Sequence, residues 1–489
     1  MCRHWPPGRQ GWRQLSCLSY ARICKTLCCT RTEAHRTFPK ALIPDIIRVY
    51  SHHDADHSSP PARATSSGGR QLLSKGSQLK SPVALKRVAR TTAVLGCASV
   101  LTLGALTACA DDSSESSSAG ETSSLPSNAA TGDPIKIGFI TPEGGAVTTP
   151  MVREGGEAAV EYLNNNGGGI GGHKIDLVVC KQQEEPASAT KCANQMVEEK
   201  VSVVVSPLGA QGAVMLPIVA GAGIPYVAQA PVSQAEMATP GSFMLSGGIV
   251  AVLAGQAATA AKDGLKKVTL IIGDSGDAAA SVKALGDPMF QRAGVALNVV
   301  TIPTGAADVT PQITAGLADN PDAVSILGDT RQCISVLKTL QTVAPDAKKY
   351  LIASCLDKPV LDAVGNEAVA GSKAFTTVNL SSDDPSVTQY RSVMAQYAPD
   401  TDPAGLAYIG YQVVAALGEL NGLEGAVDAQ TFKNALSEAK DVPLPAAPGI
   451  TFTCNGQAFP PLTSLCSKAI LVSDVTSDAK LENTVVTNN

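Results

Sequence analysis

The stretch KKVTLIIGDSGDAAASVKAL, residues 266–285, admits two readings. Gly273-Asp274-Ser275-Gly276 matches the nucleophile signature of a serine protease, which would make Ser275 the attacking group. In the other reading 267–272 is a buried strand, the polar residues form a turn, and 278–293 is a helix. The protease signature belongs to all-β enzymes, and its usual continuation, a further Gly and Pro, is missing here. The G-x-S-x-G turn of α/β hydrolases is not matched at Ser275 either. A nucleophilic serine also needs a base beside it. His173 is the one histidine after residue 57, and it reads as a loop residue near a turn of glycines. A Lys- or Asp-assisted serine hydrolase is the remaining enzymatic reading.

The elements on either side decide for the strand. Upstream, the apolar runs 135–140, 173–180, 201–206 and 225–229 alternate with helical patterns. One helix is offered an N-cap by Thr148-Thr149 and a first-turn Pro150, with Val152, Gly156, Ala159 and Leu163 recurring at helical spacing. Another covers 186–200. Downstream the pattern restarts, with helices at 248–262, 278–293, 310–318 and 331–340 and strands at 267–272, 296–302, 323–327 and 349–353. Nearly continuous apolar strands alternating with helices predict α/β structure with parallel sheets covered on both faces. From residue 375 there follow a strand, helices at 386–397, 404–420 and 429–440, and two strands within 450–475. That is too little for a third core, so these segments complete the first two and the chain crosses between lobes more than once. We expect lobe 1 to comprise 134–247 plus 376–446, lobe 2 to comprise 248–375 plus 447–478, and 479–489 to be a C-terminal tail. Ligands of doubly wound sheets bind at the carboxyl ends of the strands, and a hinged cleft between two such lobes closes over a small molecule.

The region before residue 134 has a different character. Residues 1–80 hold 13 Lys+Arg against 4 Asp+Glu, whereas from Cys109 onward there are 22 against 39. We read 1–82 as a mis-started or disordered upstream segment. Lys86, Arg87 and Arg90 then precede an apolar run, 91–106, that is short for a membrane span, and Leu106-Thr107-Ala108-Cys109 closes it. Residues 83–108 therefore read as a signal peptide. The closing tetrapeptide resembles the bacterial lipobox, in which the cysteine is acylated, so Cys109 is the expected lipid anchor on the outer face of the cell membrane. Residues 109–133 are Ser-rich and acidic, the composition of a flexible tether with a reach of about 25–30 Å. The acidic balance after Cys109 disfavours nucleic acid as a partner.

Six further cysteines, Cys180, Cys192, Cys333, Cys355, Cys454 and Cys466, fall as three sequence-local pairs in an exported chain. Three disulfides are expected, and proximity favours 180–192, 333–355 and 454–466 among 15 possible connectivities. No pair has C-x2-C spacing, so no metal is expected, and no cofactor.

The lipobox, the tether, IKIGFITPEGG (135–145), EAAVEYLNNNGGGIGGHKIDLVV (157–179), VSVVVSPLGA (201–210) and GIPYVAQA (223–230) together resemble the extracellular solute-binding proteins of ABC importers. The branch is the leucine/isoleucine/valine-binding-protein-like one, periplasmic binding protein type 1. DGLKKVTLIIGDSGDA (263–278), AYIGYQVVAAL (407–417) and ITFTCNGQ (450–457) are similar to that family's second lobe, hinge-return helix and terminal strand. The resemblance covers about 134–475 in order. It implies two Rossmann-like lobes, three crossovers, a closed liganded form, and delivery of a small-molecule solute to a permease with its ATPase subunits. The family's first-lobe contacts map onto Glu143, Gly144 and Gly145; onto Ser206, Leu208, Gly209, Ala210 and Gln211; and onto Gln229, Ala230 and Pro231. Ser206 can equally be a helix N-cap. In the second lobe the usual aromatic followed by Gly is replaced by Asp274-Ser275-Gly276-Asp277. Asp274, Ser275, Asp329 and Asp357 are ligand-facing candidates there, each of which can instead cap a helix.

The expectation is a monomeric, membrane-anchored solute-binding component of an ABC importer, holding an amino acid, an amide or a related polar compound. The alternative is a ligand-sensing lipoprotein reporting to a membrane receptor; fold and anchor would be the same.

Overall fold

The computed structural model describes residues 124–488 apart from 146, 275–277, 304 and 307. These residues belong to one compact unit. The expectations for the signal peptide, Cys109 and Ser275 lie outside the described residues.

Two sheets carry the fold. In the first, β1 (Gly132–Pro142), β2 (His173–Gln182), β3 (Val203–Val205), β4 (Tyr226–Ala228) and β5 (Ser242–Met244) run parallel in the order β2-β1-β3-β4-β5. The second contains β6 (Lys267–Asp274), β7 (Ala296–Pro303), β8 (Ala323–Leu327), β9 (Lys349–Ile352) and β10 (Lys373–Thr376), parallel in the order β7-β6-β8-β9-β10. A small ribbon pairs β11 (Val442–Pro443) with β12 (Thr451–Phe452). Beyond β10 the second sheet is extended by two antiparallel strands, β13 (Ala469–Val475) and β14 (Leu481–Asn488).

Strand β6 shows why these apolar runs become central strands. Successive side chains point to opposite faces. Leu270 enters one buried cluster with Val268 and Phe290, while Ile271 enters another with Ile302 and Ile313. Both faces are covered by helices, so the strand has no polar side to show. LIIG is thus part of a core strand that ends at Asp274, and the next described element is the helix Ala278–Arg292.

The chain passes between the lobes three times. After β5 the helix Gly248–Lys262 packs into the second lobe's core through Leu253, Ala257 and Ala260. After β10 the chain returns, and the helices Pro385–Tyr397, Ala407–Gly418 and Ala429–Glu438 contribute Tyr390, Val413 and Phe432 to the first lobe's core. A last passage leads into β13. Among the described residues no helix is long and apolar enough to cross a membrane.

Three expected boundaries need correction. Residues 447–466 were expected in lobe 2, but Ile450, Phe452, Cys454 and Cys466 are buried in the first lobe's core and Leu465 bridges to Met244 at the end of β5. Burial of those apolar side chains outweighs proximity in sequence to β13. Residues 479–489 were expected as a tail, yet Leu481–Asn488 pairs along β13, because an edge strand satisfies its backbone there. The flexible tether was expected to extend to 133. Instead Ala130 is 3% exposed and its N–H bonds to Asn164 O, while Gly168 N–H bonds to Asn128 O.

The three disulfides join Cys180 to Cys192, Cys333 to Cys355 and Cys454 to Cys466. Cys333 and Cys355 are both fully buried and tie the helix Thr330–Val343 to the turn after β9. Opening a loop of this size by Cys333→Ala with Cys355→Ala should lower unfolding stability by about 3 kcal/mol. Urea unfolding under oxidising conditions measures this. A loss below about 1 kcal/mol would mean that the bond contributes little.

Candidate ligand cleft

In the first sheet, strand order reverses between β1 and β3; in the second it reverses between β6 and β8. At such switch points the loops leaving neighbouring strands part and open a crevice. The four loops concerned follow Pro142, Val205, Asp274 and Leu327.

The first of them begins with Glu143, which is 9% exposed. Its carboxylate accepts from Arg153 Nε at 2.7 Å and pairs with Lys181 Nζ at 2.9 Å. Its charge is therefore balanced within the first lobe. Gly144 and Gly145 continue the turn beside Gln183.

In the loop after β3, Ser206 is 3% exposed. The following helix begins only at Gly212 with Gln211 as its N-cap, so Ser206 does not cap it. Its side chain instead acts on the buried Tyr226 phenol, whose hydroxyl donates to Glu236 Oε1 at 3.0 Å. Burial, then the Glu236 charge, hold that phenol well above its ordinary pKa. Leu208 packs against the first lobe's core.

Sequence reasoning missed what faces Gly209, Ala210 and Gln211. Glu184, just beyond β2, accepts from the Ala210 N–H at 3.1 Å and 3.2 Å through its two oxygens. Gln182 Nε2 donates to the same carboxylate at 3.0 Å, and Gln211 Nε2 donates to the Glu184 carbonyl at 3.2 Å. The backbone donor expected to receive a ligand anion thus holds an internal one. Nothing local signals this, because the partners are 26 residues apart.

The loop after β4 is knitted to the crossovers. Gln229, 7% exposed, donates through Nε2 to Thr377 Oγ1 at 3.0 Å, on the return passage after β10. Ala230 and Pro231 press against Gly248 at the first crossover: a Cβ there would stand 2.9 Å from Pro231 Cδ. These three residues sit where lobe movement would be felt.

In the second lobe, Asp274 ends β6 and is exposed. Asp329 caps the helix Thr330–Val343: its carboxylate accepts from Gln332 N–H, and the Gln332 side chain accepts from Asp329 N–H, both at 2.9 Å. Of the two roles open to it, capping is the one the geometry displays.

Asp357 behaves differently. It precedes the helix Lys358–Val364 at the N-cap position, yet its side chain makes no capping hydrogen bond. Burial, then the charge of Asp402, push its carboxyl above the usual range. Tyr408, on the first-lobe helix Ala407–Gly418, is buried; its phenol is pushed up to about 12 by that burial and then by Asp357. A second-lobe carboxyl therefore lies within electrostatic reach of two first-lobe groups. Asp402 and Tyr408 escaped the sequence reading because neither carries a motif.

Among the described residues no group of three or more His, Cys, Asp and Glu is placed to hold a metal ion. His173 stands at the amino end of β2, opposite the loops, with Nδ1 2.9 Å from Asp133 O.

The sequence matches the periplasmic binding protein family over residues 134–465. No curated protein sequence matches it. Among solved structures it is similar to an ABC transporter substrate-binding protein from Sphaerobacter thermophilus, at 22% identity and a TM-score of 0.60 over 73% of this chain and 96% of that one. A leucine-binding protein from Thermotoga maritima superposes at a TM-score of 0.58 with 18% identity, over 72% of this chain and 98% of that one. A substrate-binding periplasmic protein from Ralstonia solanacearum gives 0.58 at 16% identity, over 72% and 100%. These likenesses agree with the two parallel-sheet lobes, and the sequence match identifies a binding protein, not an enzyme. The chain belongs to the periplasmic binding protein family.

Proposed function

We propose that the protein is the exported, monomeric solute-binding component of an ABC importer. It takes a small polar solute, an amino acid, an amide or a related compound, between its lobes and delivers it to a permease with its ATPase subunits. The observation that carries the reading is the pairing of switch-point loops from two lobes whose chain crosses three times. A solute touching both sets stabilises the closed form through contacts that the open form lacks. The names of the structural relatives, two of them binding leucine or serving ABC transport, agree with it.

Ser206 and the donors of Gly209 to Gln211 serve the polar end of the solute, with Glu184 yielding or bridging to it. Asp357 serves its amine. Thermal-shift screening followed by calorimetry against amino acids, amides and small acids tests this. A flat response to every compound would overturn it. Ser206→Ala and Asp357→Ala should each weaken the best compound at least tenfold, and unchanged affinity in both would reject the site.

Cys109 is proposed as the lipid anchor. Cys109→Ser should move the protein from the membrane fraction to the soluble one, with loss of label from radioactive palmitate. Retention in the membrane would remove the anchor from the proposal.

A further inference from the structure

A groove of about 840 Å3 lies away from the switch-point loops, between the helices Gly248–Lys262 and Ala278–Arg292 and the loop closed by Cys454–Cys466. Its apolar wall is built from Ala257, Ala258, Leu285, Met289, Phe459 and Leu462. Leu285, Met289 and Phe459 pack against buried clusters of both lobes, so the groove lies over their junction. Its volume is in the range of small-molecule sites, roughly 300–1,000 Å3.

Charge distinguishes it from an ordinary surface depression. Arg292 and Lys468 also line the groove, and no carboxylate does. Among the described residues neither cation takes part in an ion pair. Arg292 gives its Nε proton to Pro288 O at 2.9 Å, an anchoring contact that holds the guanidinium at the end of its helix. Long cationic side chains often lie along apolar surface with their heads in water. Two of them on one apolar groove, with no acid among the lining groups, favour an occupant with an apolar body and an anionic head.

We propose that this groove binds a medium- or long-chain carboxylate. The alkyl chain displaces water from the alanine, leucine, methionine and phenylalanine wall, and each further buried methylene strengthens binding. The carboxylate pairs with Arg292 and Lys468. A neutral alkyl chain gains only the first contribution, and a cationic amphiphile is repelled by the same two residues. The site is separate from the cleft and does not depend on what the cleft holds.

Calorimetric titration of the full chain with dodecanoate, kept below its micelle concentration, tests the proposal. Saturable binding is expected, with at least a tenfold loss in the exposed double variant Arg292→Glu with Lys468→Glu. A comparable loss is expected when Ala258→Phe fills the wall. Dodecyltrimethylammonium should not compete. Absence of saturable dodecanoate binding, equal binding of the cationic amphiphile, or undiminished affinity in the charge-reversed variant would each overturn the proposal. Should Ala258→Phe fail to fold, the charge-reversed variant decides alone, with its thermal unfolding as the control for integrity.

Discussion

Asp357→Asn is expected to weaken binding of the proposed amine-bearing solute by roughly 10- to 100-fold. A hydrogen bond to a charged group contributes about 1.5–3 kcal/mol, and each 1.4 kcal/mol is about tenfold in affinity. Calorimetry on the best compound from the screen measures it. The wild-type protein should also lose affinity as pH falls, starting above the range of an ordinary aspartate. The cause is physical: burial, then the Asp402 charge, raise the Asp357 carboxyl. It takes up its proton earlier on acidification and then no longer pairs with an ammonium group. Tyr408, at about 12, stays neutral throughout this window. The sign for folding is opposite. A raised carboxyl contributes stability that is present below its unfolded pKa and lost as pH rises through the folded one. Acidification should therefore favour the empty protein through this group while it weakens the complex. In Asp357→Asn both dependences should flatten. A variant with wild-type affinity and an unchanged pH profile would remove Asp357 from the site.

Gly410→Val is expected to unfold the first lobe. The helices Pro150–Tyr162 and Ala407–Gly418 cross at backbone contact: a Cβ on Gly410 would stand 1.8 Å from Val152 O, and one on Gly155 would stand 2.0 Å from Ala407 O. The blocking atoms are carbonyl oxygens, which no change of side-chain rotamer can move. Relief requires the helices to separate, and around them Tyr390, Tyr411, Val413 and Val414 are almost wholly buried. Overpacking a core costs about 1–3 kcal/mol where side chains can shift, and here the cost should exceed that. Thermal and urea unfolding provide the measurement, with Gly405→Ala as the control. Gly405 lies in a turn where a Cβ would stand 3.5 Å from Asp402 O, an ordinary van der Waals contact. A loss below about 1 kcal/mol in Gly410→Val would show that the crossing is looser than described.

Local pattern made much of this protein legible. The strand at 267–272 was readable because sheet burial leaves consecutive apolar residues with turn residues at either end. Asp329 was recognised as a possible cap because it stands between the end of a strand and the start of a helix. The pairing of Cys333 with Cys355 followed from spacing. Each of these depends on residues close together in the chain.

Elsewhere the signal was absent. Nothing around Glu184 announces that its carboxylate will meet Ala210 N–H, and nothing around Asp357 announces that it will sense Asp402 and Tyr408, some 45 to 51 residues further along the chain. Cys454 and Cys466 were correctly paired, yet their loop packs against the first lobe instead of the second. The sequence by itself determined the two α/β sheets and the turns that open at their carboxyl ends, since periodicity and turn chemistry act over a few residues. The tertiary structure alone decided which carboxylates are balanced by cations and which accept from backbone donors, because charge and hydrogen-bond partners are chosen by distance in space.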